Sequence, residues 1–477
     1  MNSEVILTKI CNAIDLLIQR STEYKGLFPS ILHPETGEML MDKPPKIPGQ
    51  RNGDRAHLGC NLIHDEPLLQ TMIALAETQS NPAYAYAVDR YLNHFARNCT
   101  NTTTGLFPWG EHSFWQVIDE RVGCSRNPEG GEAIHDHLRQ VPHWLWVKLN
   151  QYNPTSVQYF ADGLDYHWTE GDGLEYIRHA NIEVDAQLER GARSCDFPRH
   201  SGFYIFDLSF AYSQSQRPET LKQIENYLEY WWEKQGEKGL LLIESRSPKD
   251  DERFYANNAP TQTLSLGISL LESAELIESL LPDLADKMIR YGSVYIDGFF
   301  NAPHNIDERI FVSLSQSETD KVVEKMSVWG SVYGAGTSCS TGVLCLGGWR
   351  LTHDERFMEF ARAIGETYLD EDFPVERVQT EEFKIPASDI GLALELLADL
   401  YDITEEDKWL EGAYKLSQTA LDIYFQKTLP YGASGIDWYD SQIGPAFMIH
   451  GLARTALVEL YKTSTNSCPL PPNYTAR

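Results

Sequence analysis

Six of the chain's fourteen histidines fall between residues 112 and 179, at 112, 135, 137, 143, 167 and 179. A neutral imidazole is both a metal ligand and a base near neutral pH, so the chemistry is expected in this stretch. Five of them stand in three segments, with His167 between the second and the third. The first is Gly105-Leu-Phe-Pro-Trp109-Gly-Glu-His112-Ser-Phe-Trp. The second is Glu132-Ala-Ile-His135-Asp136-His137-Leu-Arg-Gln-Val-Pro142-His143, and the third is Arg178-His179-Ala-Asn181. Imidazoles mixed with carboxylates suit Mn, Ni, Fe or Zn better than Ca. No His-Glu-x-x-His motif occurs, so a metal would have to be held by residues from separate segments.

A second group of residues is suited to binding a sugar acid. Arg51 and Arg55 lie in Pro48-Gly-Gln-Arg51-Asn-Gly-Asp54-Arg55. A guanidinium grips a carboxylate with two parallel hydrogen bonds, and the same residues could equally anchor the loop by pairing with Asp54. Asn61 begins an apolar helical run, either as a simple N-cap or as a carboxamide facing a ligand's carboxylate. In the second case His112 would be the base and Tyr204 or Tyr439 the acid. Trp109, Trp115, Trp144, Trp329, Tyr333 and Trp438 offer flat faces for pyranose rings, or large side chains for a core. Asn257, Asn258, Asp437 and Asp440 precede further helices. An acid pair among them would fit an inverting glycoside hydrolase.

The elements that must position these residues are helices. Apolar positions recur every three or four residues in Leu69–Glu77 and Ala83–Phe95, in Gly342–Arg350 and Arg356–Leu369, and in Gly391–Tyr401 and Lys408–Tyr424. Weaker copies run over 206–232 and 264–295. In each hairpin the first helix is the more apolar and Gly/Ala-rich, the second the more charged. An inner ring of buried helices inside an outer solvated ring accounts for that difference. The expected fold is all-α: an (α/α) toroid of six or seven hairpins, one domain over 1–477, with long loops at one mouth. An open solenoid is the rival. The Pro-rich stretch 463–477 is expected to be a surface tail.

Composition narrows the function. Lys and Arg number 40 against 69 Asp and Glu, a formal charge of −29, which argues against a nucleic-acid partner. There is no run of about 18 apolar residues and hence no expected membrane span. The start Met-Asn-Ser-Glu-Val-Ile lacks the basic and apolar stretches of an export signal. A cytoplasmic enzyme with reduced cysteines is therefore expected. No Gly-x-Ser-x-Gly elbow is present, and Gly334-Ala-Gly336 follows no clear strand, so neither a serine hydrolase nor a phosphate loop is expected.

The run GLFPWGEHSFW, then HDHLRQVPHWLW, then an Arg-His pair about 40 residues later resembles family-2 polysaccharide lyases and related uronate lyases on (α/α) barrels. The resemblance implies β-elimination on an acidic oligo- or polysaccharide with a divalent transition metal, typically Mn. Carried over residue by residue, His112, Asp136 and His179 would hold the metal and Arg178 would be the Brønsted base. Asp136 stands where the family has Glu, and the family's following Lys is missing, with Glu132 or His135 as possible substitutes. The resulting candidates are catalytic Arg178, His112, His179, Asn61 and Tyr204, and substrate-binding Arg51, Arg55, Trp109, Asn258 and Tyr439.

Overall fold

Six short turns and seven long connections alternate along the chain, and this alternation builds the fold. The computed structural model describes residues 2–51, 55–124, 133–136, 139–169, 175, 177–189, 197–244, 254–330, 337–462 and 468–476. Among them the helices are α1 (Ser3–Ser21), α2 (Leu62–Thr78), α3 (Pro82–His94), α4 (His143–Tyr152), α5 (Pro154–Gly163), α6 (Pro198–Ser215), α7 (Pro218–Trp232) and α8 (Pro260–Ile277). They continue with α9 (Pro282–Phe300), α10 (Ser338–Thr352), α11 (Glu355–Asp370), the short α12 (Val375–Val378), α13 (Ala387–Thr404), α14 (Asp407–Ile423) and α15 (Pro445–Lys462).

Seven helices form an inner ring: α2, α4, α6, α8, α10, α13 and α15. α15 packs on α2 and α13, α10 on α13 and α8, and α8 on α6. α4 bridges the remaining gap, its Trp144 indole donating to Glu66 of α2 and its Trp146 indole to Asp207 of α6. The first helix of the chain, α1, packs outside α15 as the seventh outer partner. The ring is therefore closed, an (α/α) toroid of seven helix pairs, and the open solenoid is excluded.

Burial explains which helix goes where. In α13 every residue from Ile390 to Tyr401 is buried, as an element enclosed on all sides must be. Its outer partner α14 buries only a stripe, Trp409, Ala413, Leu416, Ser417, Ala420 and Leu421. Glycine lets inner backbones touch: a Cβ on Gly391 would lie 2.4 Å from the backbone of Phe447 and Met448. Small antiparallel sheets in the long connections are the departure from an all-helical chain. Among the described residues no helix is long and apolar enough to cross a membrane.

Each long connection leads into the N-terminus of an inner helix, so all seven N-termini face the mouth. Their partial positive charges converge there in an otherwise acidic molecule. The C-terminal stretch is more than a surface tail. Leu470, Asn473 and Thr475 are buried, and Asn473 donates to Glu66 and Gln70 of α2. The residues are Pro-rich and polar, which reads as surface, but their partners are the carboxylates and amides of the inner ring.

Asp389, in the first turn of α13, is fully enclosed, and burial lifts its carboxyl to about 7 against a hydrogen bond from Gly330 N. The folded chain therefore keeps a proton that the unfolded chain releases near pH 4. That contribution is fully present in acid and falls, by up to about 1.4 kcal/mol per pH unit, as pH rises from about 4 to about 7. Asp389→Asn is expected to melt higher than the parent at about pH 8, with the difference shrinking toward about pH 4. Thermal melts across that range are the check, and parallel curves would remove Asp389 as the source of the slope.

Candidate functional site

Two short strand pairings bring the histidine segments together. Ile134 lies opposite Asn181 and His135 opposite Ala180 in an antiparallel pair. Continued by one residue, that register sets Asp136 against His179. A second pairing, Gly59–Cys60 with Trp115–Gln116, holds Asn61 against the His112 segment. Asn61 caps α2 through Ile63 N, and its amide group donates to Gly110 O at 2.8 Å and Ser113 O at 3.3 Å. It positions the His112 loop, with both amide protons engaged by backbone oxygens.

Asp136 is seated on the same loop. Its Oδ1 accepts from Glu111 N at 2.9 Å and His112 N at 3.3 Å. The seat exists because residue 110 is glycine: a Cβ there would meet Asp136 O at 2.2 Å and Oδ1 at 2.3 Å. His112 Nε2 is 3.5 Å from Glu111 Oε2. One ligand atom each from Glu111, His112 and Asp136 lies within 4.8 Å of the others. Two carboxylates and an imidazole at that spacing could hold a metal ion, with Glu111 rather than the expected His179 as the third member of the group. His179 stands beside the group, its ring 5.3 Å from that of His112 between centroids, with Nε2 accepting from Arg178 Nε at 3.3 Å. The Arg178 guanidinium also lies over the Phe197 ring, 4.9 Å from its centroid.

Behind these residues runs a buried string of hydrogen bonds. Trp109 Nε1 donates to His135 Nε2 (3.3 Å), His135 Nδ1 meets His167 Nε2 (2.8 Å), and His167 Nδ1 meets Ile177 O (2.8 Å). The indole can only donate, so with neutral rings both histidines carry their proton on Nδ1 and the string runs in one direction. Tyr204 donates to Arg178 O at 3.3 Å. Trp109, His135, His167 and Tyr204 thus fix the backbone that presents Arg178 and His179.

The structure gathers His112, Asp136, Arg178 and His179, with Asn61 and Tyr204 as supports. Other candidates go elsewhere. Trp109 is fully buried among Phe95, Phe107, Trp146 and Phe160, so its ring serves the core and offers no face to a sugar. Arg55 is buried in an ion pair with Asp440 (3.5 Å) and donates to Pro44 O, which joins two mouth loops. Tyr439 is enclosed at the same junction, and Asn258 is buried at the end of a strand. Arg51 is exposed, and Asp437 and Trp438 line a separate cleft of about 900 Å3 with Lys46 and Tyr431. Asp54, Glu132, His137, Tyr333, Gly334 and Gly336 lie outside the described residues. Glu111 was not among the sequence candidates, although its place beside His112 was the available signal. Arg139 and His64, which meet at 3.1 Å near this loop, were also not singled out.

No family model matches the chain. Over 116 residues it is 28% identical to a pectate disaccharide-lyase of Dickeya dadantii, a match covering 24% of this chain and 20% of that protein. The matched part is thus about a fifth of the relative's length. Among solved structures, an alpha-1,2-mannosidase from Trichoderma reesei superposes with a TM-score of 0.53 at 11% identity, covering 96% of this chain and 93% of that one. A cellobiose 2-epimerase from Bacillus thermoamylovorans gives a TM-score of 0.48 at 7% identity, over 94% and 100%. The likeness to the mannosidase establishes the (α/α) toroid over nearly the whole chain.

Proposed function

We propose that the chain is a carbohydrate-processing enzyme, and specifically a lyase that cleaves uronate-containing glycans by β-elimination. The observation that carries the reading is the convergence of His112, Asp136, Arg178 and His179 at the mouth, from segments far apart in sequence. The match to a pectate disaccharide-lyase supports it. Seven inner-helix N-termini around the mouth favour an anionic substrate in spite of the net charge of −29.

β-Elimination removes the proton at C5 of a uronate, forms the C4–C5 double bond and expels the C4 oxygen. The proton is weakly acidic until the neighbouring carboxylate is neutralised. Glu111, His112 and Asp136 would hold a divalent metal, which would supply that neutralisation when bound. As a guanidinium, Arg178 has no lone pair with which to accept a proton. Its contact with His179 offers a solution. As Arg178 Nε passes its proton to His179 Nε2, the guanidine becomes able to accept the proton from C5. Tyr204 and the His135–His167 string keep the Arg178 backbone in place while this happens. The departing oxygen takes a proton from water at the mouth, and the hydroxide left behind takes up the proton that His179 gained.

The test is a panel of uronate polymers and oligomers followed by near-ultraviolet absorbance, which reports the unsaturated product. Turnover is expected to appear with polygalacturonate or a related polyuronate, to fall on chelation and to return with Mn. A hydrolase would release reducing ends with no gain in absorbance, and that result would replace the lyase reading.

A further inference from the structure

Arg139 is 7% exposed, yet no carboxylate among the described residues lies within ion-pairing distance of it. Its Nη2 donates to His64 Nδ1 at 3.1 Å, and one face of the guanidinium is covered by Phe447 at 4.5 Å. Its Nη1 is buried with no hydrogen-bond partner. The acid that acts on it is Glu66, at longer range, whose oxygens are engaged by Trp144 and Asn473. Burial pushes the Arg139 guanidinium down to about 10, so it remains cationic at neutral pH.

His64 mirrors the situation. Its Nδ1 accepts from Arg139, so a neutral ring carries its proton on Nε2, and that atom too is buried with no partner. Burial, with Arg139 adding to it, drives the His64 imidazole well below its ordinary range and keeps it neutral. Two N–H donors and one positive charge with no ion-pair partner among the described residues therefore share one enclosed spot. Leaving a buried cation unpaired costs several kcal/mol, which an anionic ligand would offset. The spot adjoins the site described above. Arg139 follows Asp136 by three residues, and His64 is one turn into α2 from Asn61, which holds Gly110 and Ser113.

We propose that Arg139 Nη1 and His64 Nε2 form a carboxylate subsite that selects acidic sugars at this mouth. The subsite rests on the reading of the site as one for saccharides. It goes further by assigning the choice of an acidic over a neutral sugar to two residues outside the Glu111, His112 and Asp136 group.

The test is calorimetric titration of the full chain with trigalacturonate and with neutral galactotriose, for the parent, Arg139→Gln and Arg139→Lys. The parent is expected to bind the acid about 100-fold more tightly than the neutral sugar, the worth of a charge-assisted pair in a desolvated site. Arg139→Gln is expected to shrink that ratio to within about threefold, with Arg139→Lys in between. A melting temperature for Arg139→Gln equal to or above the parent's is expected, because an unpaired buried charge is removed. If the glutamine variant fails to fold, His64→Gln carries the same test with a smaller loss. An unchanged ratio in the variants, or no acid preference in the parent, overturns the subsite. Acid-selective binding that depends on Arg139 but yields no unsaturated product would uphold the subsite and reject the lyase reading.

Discussion

Alanine at position 112 is expected to lower turnover of a polyuronate by about 10²- to 10⁴-fold, with a melting temperature close to the parent's. The His112 imidazole lies beside Glu111 Oε2 and the His179 ring, so its loss removes the nitrogen donor of the proposed metal group and a neighbour of the proton-transfer pair. The fold should tolerate the change because the seat of Asp136 is made by the backbone N–H groups of residues 111 and 112. Arg178→Ala is expected to act in the same direction. Initial rates by absorbance, paired with circular dichroism, make the check. Full turnover in both variants would reject the site.

Arg454→Ala is expected to destabilise the chain by about 3–5 kcal/mol, because it removes a buried cation shared by Glu395, Asp399 and Asp402. Arg454 lies on α15 and is 1% exposed. It donates to Asp399 Oδ1 at 2.8 Å, to Asp402 Oδ2 at 2.9 Å and to Leu470 O at 2.5 Å. Asp399 also receives Arg350 from α10 and the Tyr474 hydroxyl from the C-terminal stretch. One guanidinium thus ties α13, α15 and the terminal residues together, and these carboxylates in turn raise its pKa above the usual arginine value. Denaturant midpoints at constant pH measure the effect. A loss under about 1 kcal/mol would mean that the network re-forms around Arg350.

Much of the architecture is legible in the residues themselves. The pairs α2/α3, α10/α11 and α13/α14 follow from apolar spacing, since a helix enclosed by neighbours and a helix facing water differ in composition along their whole length. α4 and α5 are ten residues each and sit inside the aromatic and histidine-rich stretch, where periodicity is masked. At the site, His112, Asp136, Arg178 and His179 were readable from residue type and the family resemblance. The fate of Trp109 was not, because a tryptophan beside a candidate ligand looks the same whether it faces a sugar or closes a core. Arg55 and Asp440 belong to opposite ends of the chain, and no local pattern announces their pairing. Arg139 was invisible for the opposite reason: what marks it is a missing partner, which only the packed structure can show.

The closing of the ring by α1 against α15 has a consequence for how the protein is made. Ile6, Ile10, Ile14 and Leu17 of α1 are buried in the finished molecule, and Ser3 bonds to Glu459 of α15. α1 leaves the ribosome before α15, the helix it must cover, which is made more than four hundred residues later. At about 5–20 residues per second, its greasy face waits tens of seconds for a mate. Such a long-range final step makes folding slow and the nascent chain a client for chaperones.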